Sequence, residues 1–109
     1  MAITYKVLAQ SAPSATTNTD VYTVGAGKQA TISTITIANR AASSTTYRIA
    51  IRVAGSALSN EEYIAYDVVI AANDTSALTL GITLGAADVV TVYAGSANLS
   101  FNIFGTEIS

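Results

Sequence analysis

The chain has no cysteine, no histidine and no tryptophan, and only one proline in 109 residues. Without His or Cys it lacks the commonest general base, the thiolate nucleophile and the usual zinc ligands, which excludes disulfides, ordinary zinc sites and most hydrolase mechanisms. The absence of Cys also fits a reducing compartment or a particle assembled inside a cell. Charge is scarce as well: 11% of the chain is charged, against roughly 25% in ordinary soluble domains, and the net charge is −2. The five cations, Lys6, Lys28, Arg40, Arg48 and Arg52, form no dense run, and the isoelectric point is near 4.7, so nucleic acid is not an expected partner. No stretch of about 18 apolar residues occurs, so neither a transmembrane helix nor a membrane partner is expected. Met1 to Lys6 shows no charged stretch leading into an apolar one, and no secretory leader is expected.

What the chain does have is apolar bulk. Hydrophobic residues make up 50% of it and mean hydropathy is +0.44. Much of this is β-branched, so burial can offset the entropy of ordering the chain. The length suits one domain, residues 1–109, which should bury somewhat less than about 70% of its unfolded surface. That is enough for one core without cross-links. Ser, Thr, Asn and Ala stand where a free monomer would carry Lys and Glu, a composition suited to surfaces covered by neighbours. An oligomer or assembly component is expected.

Period-2 alternation dominates. From Thr45 to Val53, Tyr47, Ile49, Ile51 and Val53 share one face, while Thr46, Arg48, Ala50 and Arg52 share the other. Leu78, Leu80, Ile82 and Leu84 alternate with Ala77, Thr79, Gly81 and Thr83, with Gly81 marking a bulge or bend. Glu62 to Ala71 carries apolar bulk on both faces and is expected to lie centrally. In Lys28 to Ala38 the phase slips between Ile32 and Ile35, which predicts a bulge near Ser33 and Thr34. Further strands are expected at Ile3 to Gln10, Val21 to Val24, Val89 to Ala94 and Leu99 to Glu107. Turn-forming segments separate them, including Gly25-Ala26-Gly27, read as a hairpin turn. The expected fold is all-β: an antiparallel sandwich or jelly-roll-like barrel of about eight strands.

Residues 11–20 are poor in apolar side chains and read as a flexible linker, so residues 1–19 can form a strand arm. If the arm pairs with a neighbouring subunit, Ile3, Tyr5 and Val7 are the interface residues, with backbone bonds supplying affinity and alternate side chains filling pockets. The equal alternative is that this strand folds back on its own sheet.

No catalytic, cofactor-binding or metal-binding residues are assigned. The seven acids, Asp20, Glu61, Glu62, Asp67, Asp74, Asp88 and Glu107, are the only candidates for carboxylate chemistry. Most fall in turns, and adjacent Glu61 and Glu62 make a poor acid/base pair because neighbours on a strand point apart. Turn formation explains Asp74 and Asp88 better than calcium, since no clustered ladder of ligands is present. Gly25-Ala26-Gly27-Lys28-Gln29 lacks the spacing and the Ser or Thr of a phosphate loop. The Asn73-Asp74-Thr75 and Asn98-Leu99-Ser100 triplets read as chance matches to the glycosylation motif. The tyrosines read as half-buried strand residues with the hydroxyl at the edge, and the signal for a lectin is faint.

Two segments together carry a resemblance: Tyr22-Thr23-Val24-Gly25-Ala26-Gly27-Lys28 leading to Ile35-Thr36-Ile37-Ala38-Asn39, and Ile70-Ala71-Ala72-Asn73-Asp74-Thr75 leading to Gly81-Ile82-Thr83-Leu84. With Asp88 to Ala94, Leu99-Ser100-Phe101 and Gly105 to Ile108, the pattern resembles small β-sandwich virion proteins of tailed bacteriophages, notably cyanophages. Those proteins serve as capsid cement or decoration proteins, or as tail accessory subunits. Gly25 stands where such turns carry proline, and both residues suit tight turns. The resemblance implies a non-enzymatic structural protein of the virion, assembled in the host cytoplasm. It would bind the major capsid protein or other virion proteins at capsomer junctions as a homotrimer; the alternative is a tail or fibre module that reads a receptor. No functional residue transfers, because that role is adhesion by surface shape.

Overall fold

A computed structural model describes residues 2–109. Nine strands form two antiparallel sheets: β1 (Ile3–Ser11), β2 (Thr19–Thr23), β3 (Gln29–Asn39), β4 (Thr45–Arg52), β5 (Tyr63–Ile70), β6 (Thr75–Leu78), β7 (Ile82–Leu84), β8 (Val89–Ala94) and β9 (Leu99–Ile108). One sheet runs β1-β9-β3-β6, with β7 also on β3; the other runs β2-β8-β4-β5. The β6 strand pairs with Ile35 to Ala38 and β7 with Ala30 to Ile32, so the two share one position beside β3. The pairs β4/β5, β3/β6–β7, β2/β8 and β1/β9 are therefore nested, as in one long hairpin with β4 and β5 at its tip, rolled so that its arms fall in two layers. That is jelly-roll connectivity, and it matches the all-β expectation.

Alternation explains the layering. Ala30, Ile32, Ile35 and Ile37 of β3 and Leu99, Phe101 and Ile103 of β9 face Tyr47 and Ile49 of β4 and Val90, Val92 and Ala94 of β8. Across the layers, Tyr47 meets Phe101 edge-on with ring centroids 6.4 Å apart. Each of the large side chains contributes about 1.5–3 kcal/mol relative to leaving it in water. The predicted bulge is present: pairing between β3 and β9 shifts between Ile32 and Thr34, and Ser33 donates its Oγ hydrogen to Phe104 O at 3.1 Å. The extra residue lets Ala30 and Ile32 reach the same core as Ile35 and Ile37.

Several expectations are corrected. The Leu78 to Leu84 run is two strands broken at Gly81, whose φ of +62° turns the chain and leaves Leu80 exposed. The β5 strand is an edge strand and not a central one; its second apolar face, including Val69, is open to solvent. Val53 leaves the β4 alternation to start a single 3-10 turn, Val53–Gly55, and is exposed. The Gly25 to Lys28 turn carries the chain from one sheet to the other, so it is a crossing turn and not a hairpin. Within residues 11–20, Pro13 is buried and the Thr16 amide donates to Ala94 O at 2.8 Å, while most of the other side chains are exposed.

Candidate functional site

The strand β1 lies against β9 of its own chain, with Ile3 opposite Ile108, Tyr5 opposite Thr106 and Val7 opposite Phe104. This is the fold-back arrangement. Lys6, pointing the other way, lies with Nζ 2.9 Å from Glu107 Oε1. Alternation therefore leaves Ile3, Tyr5 and Val7 in one row on the outer face of the five-stranded sheet, 51%, 82% and 46% exposed. Beyond them the backbone edge of β1 meets no other strand among the described residues. An unpaired edge is a template for another chain, and proteins commonly blunt such edges with bulges or breaks. The β2 edge has a shift at Asp20/Tyr22, β5 has shifts on either side of Ile49, and the β6–β7 edge is interrupted. In β1 the pairing is regular from Ile3 through Val7 before its own shift at Leu8.

A second constellation lies on the outer face of the other sheet. Ala65 pairs with Ile49 and Val68 with Tyr47, so Tyr66 and Asp67 together oppose the single residue Arg48. In this bulge Asp67 takes a φ of +50°, a left-handed conformation uncommon for non-glycine residues. Arg48 Nε donates to Asp67 Oδ1 at 2.7 Å, and the guanidinium carbon sits 4.3 Å from the Tyr66 ring centre and 4.4 Å from that of Tyr93. The bond to Asp67 raises the Arg48 pKa further. Tyr63 meets Tyr66 at nearly a right angle, 86°, with centroids 4.8 Å apart. These two rings and Asn60 line a hollow of about 390 Å³.

Each of the seven acids accepts at least one hydrogen bond. Asp20 Oδ1 takes bonds from Arg52 Nη1 at 2.7 Å and Thr91 Oγ1 at 2.8 Å, covering β8 from outside. Glu61 accepts from Ser59 Oγ at 2.7 Å, which lowers its pKa, and Glu62 accepts from Ser56 Oγ and the Ser59 amide. Asp74 accepts from the Thr75 amide, and Asp88 from the amides of Gly85 and Ala54, both shaping turns. Glu107 accepts from the Tyr22 hydroxyl at 2.6 Å. That bond and the Lys6 ammonium hold its carboxyl below the usual value, while burial, followed by Glu107, pushes the Tyr22 hydroxyl well up. Among the described residues, no three acids cluster as metal ligands and no helix is long and apolar enough to cross a membrane.

The residues named from sequence for an interface thus fall in one exposed row. The Arg48 constellation was not legible, because Ile64, Tyr66, Val68 and Ile70 alternate without a break and hide the bulge. The only advance signal was a run with apolar bulk on both faces. No protein-family model, curated protein or solved structure matches the chain.

Proposed function

We propose that this protein is a structural subunit of a tailed-phage virion, a cement or decoration protein that docks at capsomer junctions as a homotrimer and acts by adhesion, not catalysis. The observation that carries the reading is the row Ile3, Tyr5 and Val7 beside the regular, unpaired edge of β1. Such an edge offers backbone bonds and apolar side chains together, the two components of strand addition. Low surface charge supports it, since a shell subunit holds by repeated apolar contacts, and symmetry multiplies modest interfaces. The jelly-roll fold occurs among viral capsid domains, although the same fold hosts other roles.

Electron microscopy of assembled particles tests the location, and sedimentation of the purified chain tests the stoichiometry. The expected results are density at capsomer junctions, a trimer in solution, and retention that changes little from low to moderate salt, because screening acts mainly on exposed charges. Complete shedding over that salt range, or a lone subunit at working concentration, overturns the reading. A second reading, a tail or fibre accessory module that recognises a receptor, is favoured by the tyrosine hollow on the opposite face of the sandwich. Labelling that places the protein on tails instead of heads selects it.

A further inference from the structure

On the outer face of the four-stranded sheet, the rings of Tyr63 and Tyr66 meet edge to face with centroids 4.8 Å apart, and together with Asn60 they line a hollow beside that contact. We propose that this corner is a saccharide-binding site, sized for one pyranose ring or the terminal residue of a glycan. The site is independent of the β1 edge and of the subunit's position in a virion.

Shape is the first argument. A planar base is held between parallel faces, whereas rings at 86° form a corner. A pyranose offers an apolar C–H face and, at right angles to it, a rim of hydroxyls, and so can lie on one wall and abut the other. The volume of about 390 Å³ falls at the small end of ligand pockets.

The second argument is chemical. The Asn60 amide and the hydroxyls of Tyr63 and Tyr66 supply both donors and acceptors beside an aromatic surface open to solvent. The local charge selects against anions. Glu61 and Glu62 follow Asn60 in the chain, and Arg48, packed on Tyr66, is paired with Asp67. A neutral or amino sugar fits, and a phosphorylated ligand does not.

Preorganisation is the third. Tyr66 is packed on Arg48, which is fixed by Asp67 and backed by Tyr93, so the ring has little freedom left to lose on binding. The bulge that throws Tyr66 outward places Asp67 in the left-handed region, which Asp tolerates better than most side chains.

The test is a titration of the isotope-labelled full chain with methyl glycosides of glucose, galactose, mannose and N-acetylglucosamine, followed by NMR. At least one glycoside is expected to shift the amides of residues 60–67. Tyr66→Ala should weaken that binding about tenfold or more, and Asn60→Ala by several-fold. Tyr66→Phe keeps the stack on Arg48 and decides the matter if the alanine variant fails to fold; it too should bind more weakly, through loss of the hydroxyl. Tyr5→Asp should bind sugar like the parent chain, so failure of the β1 docking surface leaves this result intact, and the reverse. The proposal is overturned if no glycoside shifts these amides, if the folded variants bind as the parent does, or if a proline-rich peptide occupies the corner and the sugars do not.

Discussion

Tyr22 of β2 donates its phenolic hydrogen to Glu107 Oε2 of β9 at 2.6 Å, joining the two sheets through residues 85 positions apart. Lys6 of β1 holds the other oxygen of the same carboxylate at 2.9 Å. Three strands from both layers thus converge on one acid at one end of the sandwich.

This convergence makes stability depend on pH at both extremes. Glu107 has a lowered pKa in the folded chain, so around its ordinary value of 4.5 the unfolded chain binds more protons. Its contribution is present above that value and is lost as pH falls through the folded pKa. Tyr22 has a raised pKa, so above its ordinary value of 10 the folded chain binds more protons and stability falls as pH rises. Tyr22→Phe should cost about 1 kcal/mol at pH 7. The difference should shrink toward pH 3, as urea unfolding of both proteins across that range will show.

Asn39 is buried at the end of β3 and stitches three segments: its Nδ2 donates to Ser43 O at 2.9 Å and Ala71 O at 3.1 Å, and its Oδ1 accepts from the Ala41 amide at 3.0 Å. Asn39→Ala leaves these backbone groups unpaired and should destabilise by about 2–4 kcal/mol. Asn39→Asp keeps the shape but loses the donors, so it should also destabilise at pH 7 and recover partly as the pH is lowered. Denaturant titration reads both.

At Gly105 a Cβ would run into the backbone carbonyl of Thr31 on the paired strand, which no side-chain movement relieves. Gly105→Ala should cost more than about 3 kcal/mol or prevent folding. Gly27, at φ +73° with open space around it, offers the contrast. Gly27→Ala should cost only about 1 kcal/mol, the backbone penalty alone, as comparison of thermal midpoints will show.

Tyr5 is the most open of the apolar side chains on β1. Tyr5→Asp should leave unfolding free energy within about 0.5 kcal/mol of the parent, as exposed substitutions do. On the proposed docking role of β1, it should nevertheless abolish subunit association in sedimentation and attachment to shells in a pelleting assay.

How much of this was legible follows from where alternation is broken visibly. At Ser33 the phase slip separates two pairs of apolar residues that both need the core, so the bulge could be read directly. In β5 the bulge falls between residues that keep alternating, and an outward Tyr66 looks the same in sequence as an inward one. The two-faced apolar character of β5 reads as central, yet the nested pairing leaves it at an edge, and no local pattern records which strand ends a sheet. Gly81 marked an irregularity, but whether it bends or divides a strand depends on pairing partners far away. The acids in turns were legible because Asp beside Gly or Asn caps local amides, as Asp74 after Asn73 does for the Thr75 amide.

Among the described residues, β1 pairs with β9 alone. During synthesis, β1 emerges long before the ribosome has supplied Leu99 to Ile108, and until then it has no sheet to join. Its outward row of side chains takes its final spacing only when the roll closes. A chain cut before Leu99 therefore leaves β1 without the strand it pairs with.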